Sequence, residues 1–136
     1  MDEKALAHKL LEHGVRVTRQ RLRIATAMLN SPRHLSADQV LSEVNRHGTA
    51  VSKATVYNTL RTFTEHGLLR EVNVEADRSF YDSTVVPHHH FYNPDTGELT
   101  DIPADRLTIT GIPAPPAGTE MSDVEVIVRL RERPTA

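Results

Sequence analysis

The sequence predicts an α/β chain built as an N-terminal winged helix-turn-helix followed by a short C-terminal α/β dimerisation domain. Three observations carry that reading. Four segments with apolar residues at helical spacing come first, and most are bounded by a capping residue or a glycine. Two short strand-like runs follow, Leu68 to Val74 and Ser79 to Thr84, separated by a charged turn at 75–78. Beyond Pro87 the composition shifts to histidine-, proline- and acid-rich stretches with strand character.

The first helix places Leu6, Leu10 and Leu11 on one side and stops before Gly14. Thr18 opens the second, which carries Leu22, Ala25, Met28 and Leu29. Ser36 opens the third, with Val40, Leu41 and Val44 ahead of a stop at His47 and Gly48. The fourth runs from Ser52 to Gly67, with Val56, Leu60 and Phe63 on one face and Ala54, Tyr57, Asn58 and Arg61 turned away. The last three helices and the hairpin form the winged helix, here taken as residues 1–84. Pro87 fixes the local backbone, so 85–87 reads as a hinge and 88–136 as the second domain. Within that domain HHHFY and ELTDI flank the turn NPDTG as paired strands, a weak element spans Asp105 to Thr110, and Val124, Val126 and Val128 alternate in a last strand.

Composition narrows the function classes. With 136 residues, 38% apolar and 4% aromatic, a second domain of this size needs a partner subunit to complete its core, so a homodimer is expected. No apolar run approaches the roughly 20 residues that cross a bilayer, and the N-terminus lacks the apolar region of a signal peptide, which predicts a cytoplasmic protein. The absence of cysteine excludes disulfides, thiolate zinc and thiol catalysis, leaving imidazole and carboxylate as metal ligands. Net charge is −2, yet residues 1–84 hold 12 Lys and Arg against 10 Asp and Glu, whereas 85–136 hold 4 against 8. Positive charge is thus concentrated in the helical unit, where Arg16, Arg19, Arg21 and Arg23 fall within eight residues.

A helix seated in the major groove reads bases with polar side chains while flanking groups hold phosphates. The fourth helix supplies Tyr57, Asn58 and Arg61 for this, with Lys53, Ala54 and Thr55 near its start. Arg19 and Arg21 are the expected phosphate clamps from the preceding helices, and Arg78 reaches from the wing. A symmetric dimer would present two such helices to double-stranded DNA at a pseudo-palindromic or direct AT-rich promoter site.

The second candidate site is a set of histidines and carboxylates. On a strand His88 and His90 share a face while His89 points the other way. With His34, Asp82 and Asp101 they make a mixed nitrogen and oxygen set suited to Fe(II), Mn(II) or Zn(II). His34 and Asp82 belong to the first domain and the others to the second, so a bound ion would couple the two, as a sensor requires. A small metalloenzyme using the same ligands is disfavoured, because no concave substrate-binding scaffold accompanies them.

Over nearly its whole length the chain resembles the ferric uptake regulator (Fur) superfamily. VTRQRLRIATAML, HLSADQVL and above all SKATVYNTLRTFTEHGLL look like its second, third and recognition helices, and DRSFYD, HHH and GELTDI like its wing, hinge and first dimerisation strands. HHHFY, LTDIP, IPAPPAGTEM and DVEVIVRLR look most like the iron response regulator branch. The resemblance implies a regulatory metal at His34, Asp82, His88, His90 and Asp101. It also implies that the family's paired-cysteine zinc site is missing, since Asn93 and Thr96 stand at the expected first pair. The branch resemblance implies a repressor of iron and haem homeostasis genes, with Fe(II) or Mn(II) in cells, Zn(II) possible in vitro, and haem possible at His88, His89 and His90. A manganese- or peroxide-responsive regulator of the same superfamily is the nearest alternative, and a metal-independent DNA-binding dimer a further one.

Overall fold

The computed structural model describes residues 1–48 and 51–135, which divide into two compact units, Met1–Val85 and Val86–Ala136. Ala136, the end of the predicted second domain, lies outside the described residues.

The first unit opens with four α-helices whose starts are set by local side chains. Asp2 accepts the Ala5 N–H at 2.7 Å ahead of α1 (Glu3–Glu12), and Thr18 accepts that of Arg21 at 3.1 Å ahead of α2 (Arg19–Leu29). Helix α3 (Ala37–Val44) starts on a reciprocal pair: Gln39 N–H donates to Ser36 Oγ at 3.2 Å, and Ser36 N–H donates to Gln39 Oε1 at 2.8 Å. Ser36→Ala removes one half of that box and is expected to cost about 1 kcal/mol of unfolding free energy in a denaturant titration. Helix α4 (Lys53–Glu65) is capped by Ser52 and followed by Gly67 at φ +76°, a left-handed conformation glycine adopts without strain.

Helix α3 ends at Val44, three residues before the expected stop at His47. The Asn45 side chain explains this, since it accepts the Val51 N–H at 2.8 Å and donates to the Val51 carbonyl at 2.9 Å. A short polar side chain that bonds backbone outside the helix competes with continuing the helix. The core of the unit lies where α1, α2 and α3 meet α4, and Leu10, Ile24, Met28, Val40, Val56, Leu60 and Phe63 are fully buried there.

The wing strands β2 (Arg70–Glu75) and β3 (Arg78–Asp82) pair antiparallel as expected, with an irregularity between Asn73 and Glu75. A third strand, β1 (His34–Ser36), was not expected, because His34 reads in sequence as a loop residue between helices. It pairs antiparallel with β3, so the sheet order is β1-β3-β2, and Leu35 lies opposite Tyr81. Three residues carry no alternation signal, and their partner arrives more than forty residues later.

The second unit is a three-stranded sheet of order β5-β4-β6. β4 (His89–Asn93) and β5 (Glu98–Ile102) form the antiparallel hairpin read from HHHFY and ELTDI, and β6 (Ile127–Arg129) runs parallel to β4. Tyr92, Leu99 and Ile102 are its buried apolar residues. The helical contribution is a single 3₁₀ turn, Ala104–Arg106, in place of the weak element expected at Asp105 to Thr110. Prolines at 103, 113, 115 and 116 remove backbone donors around this stretch, and residues 108–123 are exposed throughout. The last strand is shorter than the Val124 to Val128 alternation suggests. The hairpin turn is held by Asn93, whose Oδ1 accepts the N–H groups of Asp95 and Thr96 at 3.0 and 3.4 Å. The same turn holds the C-terminal tail, with Glu132 N–H on Asp95 Oδ2 at 2.8 Å and Asn93 Nδ2 on Glu132 Oε1 at 3.4 Å. Hydrogen bonds thus occupy the positions where a cysteine pair was looked for.

Candidate metal centre and nucleic-acid interface

In the second unit the hairpin register puts His90 directly opposite Asp101. His90 Nε2 lies 3.1 Å from Asp101 Oδ1, and His88, one residue before the strand, turns its own Nε2 to within 3.2 Å of the same oxygen. The two imidazole rings are 4.4 Å apart between centroids. One ligand atom from each of His88, His90 and Asp101 lies within 4.8 Å of the others.

The donor chemistry fits a cation. His88 Nδ1 lies 2.9 Å from the Val86 carbonyl and its Nε2 faces the carboxylate, so both ring nitrogens meet acceptor oxygens. A neutral imidazole has one N–H and satisfies only one of them. With Nδ1–H on the Val86 carbonyl fixing the ring, the Nε2 lone pair and the Asp101 carboxylate can together hold a divalent ion, the usual outer arrangement of a metal-bound histidine. Metal bonds of about 2.0–2.2 Å would place neighbouring ligands about 3 Å apart, close to the 3.2 and 3.1 Å found here. The side chains are graded in exposure, 1% for His90, 15% for His88 and 57% for Asp101, so the cluster is reached from the carboxylate side. His89 faces elsewhere and its Nδ1 accepts the Val126 N–H at 2.9 Å.

In the first unit the remaining two predicted ligands are cross-strand neighbours, His34 on β1 and Asp82 on β3. Asp82 is 2% exposed, and its Oδ1 accepts the Thr84 N–H at 2.8 Å. The His34 ring stands edge-on to Phe80 at 6.3 Å.

On the opposite side of α4 from the core, Lys53, Ala54, Tyr57, Asn58 and Arg61 are all exposed, and the Lys53 ammonium lies 5.8 Å from the centre of the Tyr57 ring. Thr55 is tied into the cap, accepting the Ser52 hydroxyl at 2.8 Å. Arg78 is exposed at the start of β3. Arg21 donates to the Arg16 carbonyl at 2.8 Å and lines an open groove with Arg16, Gln20, Asn58 and Thr62. Sequence reasoning placed Arg16 in the basic cluster without giving it a contact and passed over Gln20 and Thr62, although Thr62 follows Asn58 at helical spacing. Arg19 does not line this groove but another, with Arg23 and α3.

Tyr81 on β3 links the wing to this face. Burial, then the charge of its cross-strand neighbour Glu71 and a hydrogen bond donated to it, push the phenol from 10.0 up to about 12, with Arg61 pulling the other way. The neutral phenol is the form folding favours. Its contribution is therefore complete below pH 10 and is lost as pH rises through about 12. An ultraviolet phenolate titration should show one tyrosine ionising near 12 that Tyr81→Phe removes, together with a smaller loss of stability above pH 10 in the variant.

The ferric uptake regulator family model matches residues 12–126. The chain belongs to the ferric uptake regulator family. Among curated relatives, it is 35% identical over 98 residues to the peroxide operon regulator of Bacillus subtilis strain 168, covering 72% of this chain and 68% of that one. It is 30% identical over 105 residues to the peroxide-responsive repressor PerR of Staphylococcus aureus, covering 77% and 70%. Solved structures share the fold: the ferric uptake regulator of Pseudomonas aeruginosa with manganese (TM-score 0.68, 23% identity, 98% of this chain and 100% of that one) and that of Vibrio cholerae (0.71, 21%, 92% and 98%). Family membership makes this chain a DNA-binding, metal-responsive regulator and not an enzyme.

The expected iron response regulator branch is corrected by these matches, because the curated relatives named above are peroxide regulators. IPAPPAGTEM, one of the segments that suggested the branch, is exposed throughout, where packing constrains sequence least. The reasons for iron specificity, and for haem at His88, His89 and His90, go with that branch. Among the described residues, no helix is long and apolar enough to cross a membrane.

Proposed function

We propose that this chain is a peroxide- or manganese-responsive repressor that binds promoter DNA as a homodimer. The observation that carries the reading is the convergence of His88 and His90 on one Asp101 oxygen, a divalent-metal donor set in a chain whose curated relatives are named for peroxide response. His34 and Asp82, adjacent on β1 and β3, complete the proposed ligand set. A bound divalent ion supplies positive charge that holds these acceptors together, and a redox-active ion makes the site sensitive to peroxide. The protein's own part is to orient the ligands: Val86 aims His88, the hairpin register aims His90, and Thr84 holds Asp82. DNA recognition is assigned to Lys53, Ala54, Thr55, Tyr57, Asn58 and Arg61 on α4, with Arg21, Arg19 and Arg78 as phosphate contacts, on a pseudo-palindromic or direct AT-rich site.

The test is fluorescence anisotropy on a promoter duplex at fixed salt with the apo, Mn(II) and Fe(II) proteins, each before and after hydrogen peroxide. The expected result is tighter binding with either metal and a peroxide-induced loss confined to the Fe(II) form. Affinity indifferent to chelation and to both metals would replace the reading with a metal-independent DNA-binding dimer.

A further inference from the structure

The arginines at the start of α2 divide between two faces, and only one of them belongs to the α4 groove. Arg16 and Arg21 stand beside α4, whereas Arg19 and Arg23 line a separate, open surface cavity of about 630 Å³ together with Arg33 and Arg46 from the segments flanking α3. Four arginines face two glutamates there, Glu3 and Glu43. Glu43 is already occupied on both oxygens, by Arg33 at 3.1 Å and by Arg46 at 3.4 Å, and Arg33 is further held by the Ala27 carbonyl at 3.0 Å. Among the described residues, the side chains of Arg19 and Arg23 have no hydrogen-bond or ion-pair partner. They sit four residues apart on one helix, a like-charge spacing that weakens an isolated helix.

We infer that this cavity is a binding site for a small polyanion, a molecule with two or more phosphate or carboxylate groups. Arg19 and Arg23 are separated by about 6 Å along the helix axis, a span over which two anionic groups of one ligand can each meet a guanidinium. The Arg33–Glu43–Arg46 network forms a fixed wall that keeps Glu43 from neutralising the free pair. Leu22, Ala27 and Val44 supply an apolar floor, and the volume lies in the range of small-ligand pockets, about 300–1,000 Å³. None of this depends on the metal cluster or on the α4 face, but it gives Arg19, proposed above as a phosphate contact, a second ligand, and the duplex outcome below separates the two roles.

Isothermal titration of the full chain with inorganic tripolyphosphate, and separately with citrate, tests the inference and distinguishes phosphate from carboxylate ligands. Binding of at least one probe at one site per chain is expected, weakened roughly tenfold or more in Arg19→Gln/Arg23→Gln. Arg16→Gln/Arg21→Gln, with the same charge change on the other face, should retain it. Thermal unfolding checks that both variants are folded, and Arg23→Gln alone serves if the first double variant is not. Failure of the wild type to bind either probe overturns the site. So does equal weakening in both double variants, which would mark general charge attraction. A duplex-only effect of Arg19→Gln/Arg23→Gln, with no probe bound, would reassign the pair to the DNA backbone.

Discussion

Asp101→Asn is expected to lower Mn(II) affinity by roughly a hundredfold or more, the scale on which even outer partners of metal ligands act. The substitution keeps shape and removes one charge at a side chain that is 57% exposed, so folding should be little changed. His88 and His90, which converge on one carboxylate oxygen at 3.2 and 3.1 Å, then face an uncharged amide, a far weaker metal ligand. Calorimetric titration measures this directly. A second readout is thermal: an ion at one hundred times its dissociation constant stabilises the wild type by about 2.7 kcal/mol, a shift the variant should lose. His8→Ala is the control, since His8 pairs with Glu12 on the surface of α1. Mn(II) affinity unchanged in Asp101→Asn would take the carboxylate out of the site.

Helix α4 offers the other large effect, because its two faces should fail in different ways. Phe63 is fully buried in the first unit's core, and Phe63→Ala is expected to cost about 3–5 kcal/mol, enough to unfold much of a domain of ordinary stability. Asn58 and Tyr57 are exposed on the other face, Tyr57 at 40%, and Asn58→Ala or Tyr57→Ala should leave the unfolding midpoint nearly unchanged. Their cost appears in promoter binding, about 1–3 kcal/mol for a lost base contact. Denaturant titration and DNA anisotropy on the same three variants separate the roles. If Asn58→Ala and Tyr57→Ala bind the duplex like wild type, that face is not the reading surface.

Much of this was legible in the chain because it is local. Thr18, Ser36 and Ser52 cap helices through bonds to residues three positions on, and the 3.6-residue period assigns Val56, Leu60 and Phe63 inward and Tyr57, Asn58 and Arg61 outward. The pairing of β4 with β5 across NPDTG is nearly as local, whereas the register that closes the hairpin between Asn93 and Glu98 and sets His90 opposite Asp101 is seen only in the structure. The branch within the family rested in part on IPAPPAGTEM, an exposed segment that no packing constrains, while HHHFY and LTDIP lie mainly on β4 and β5 and their likeness to the branch has no structural explanation.

By itself, then, the sequence determined the helices and most of their buried residues, with Leu11 the exception at the surface, the wing hairpin, the pairing of β4 with β5 and the metal-capable residue types, all consequences of interactions within about a dozen positions. Only the tertiary structure decided that His34 lies on a strand beside Asp82, that His88 joins His90 on one oxygen, and that the α2 arginines part toward two grooves. Those outcomes depend on where distant segments pack, and no periodicity along the chain records the partner a side chain meets across a core.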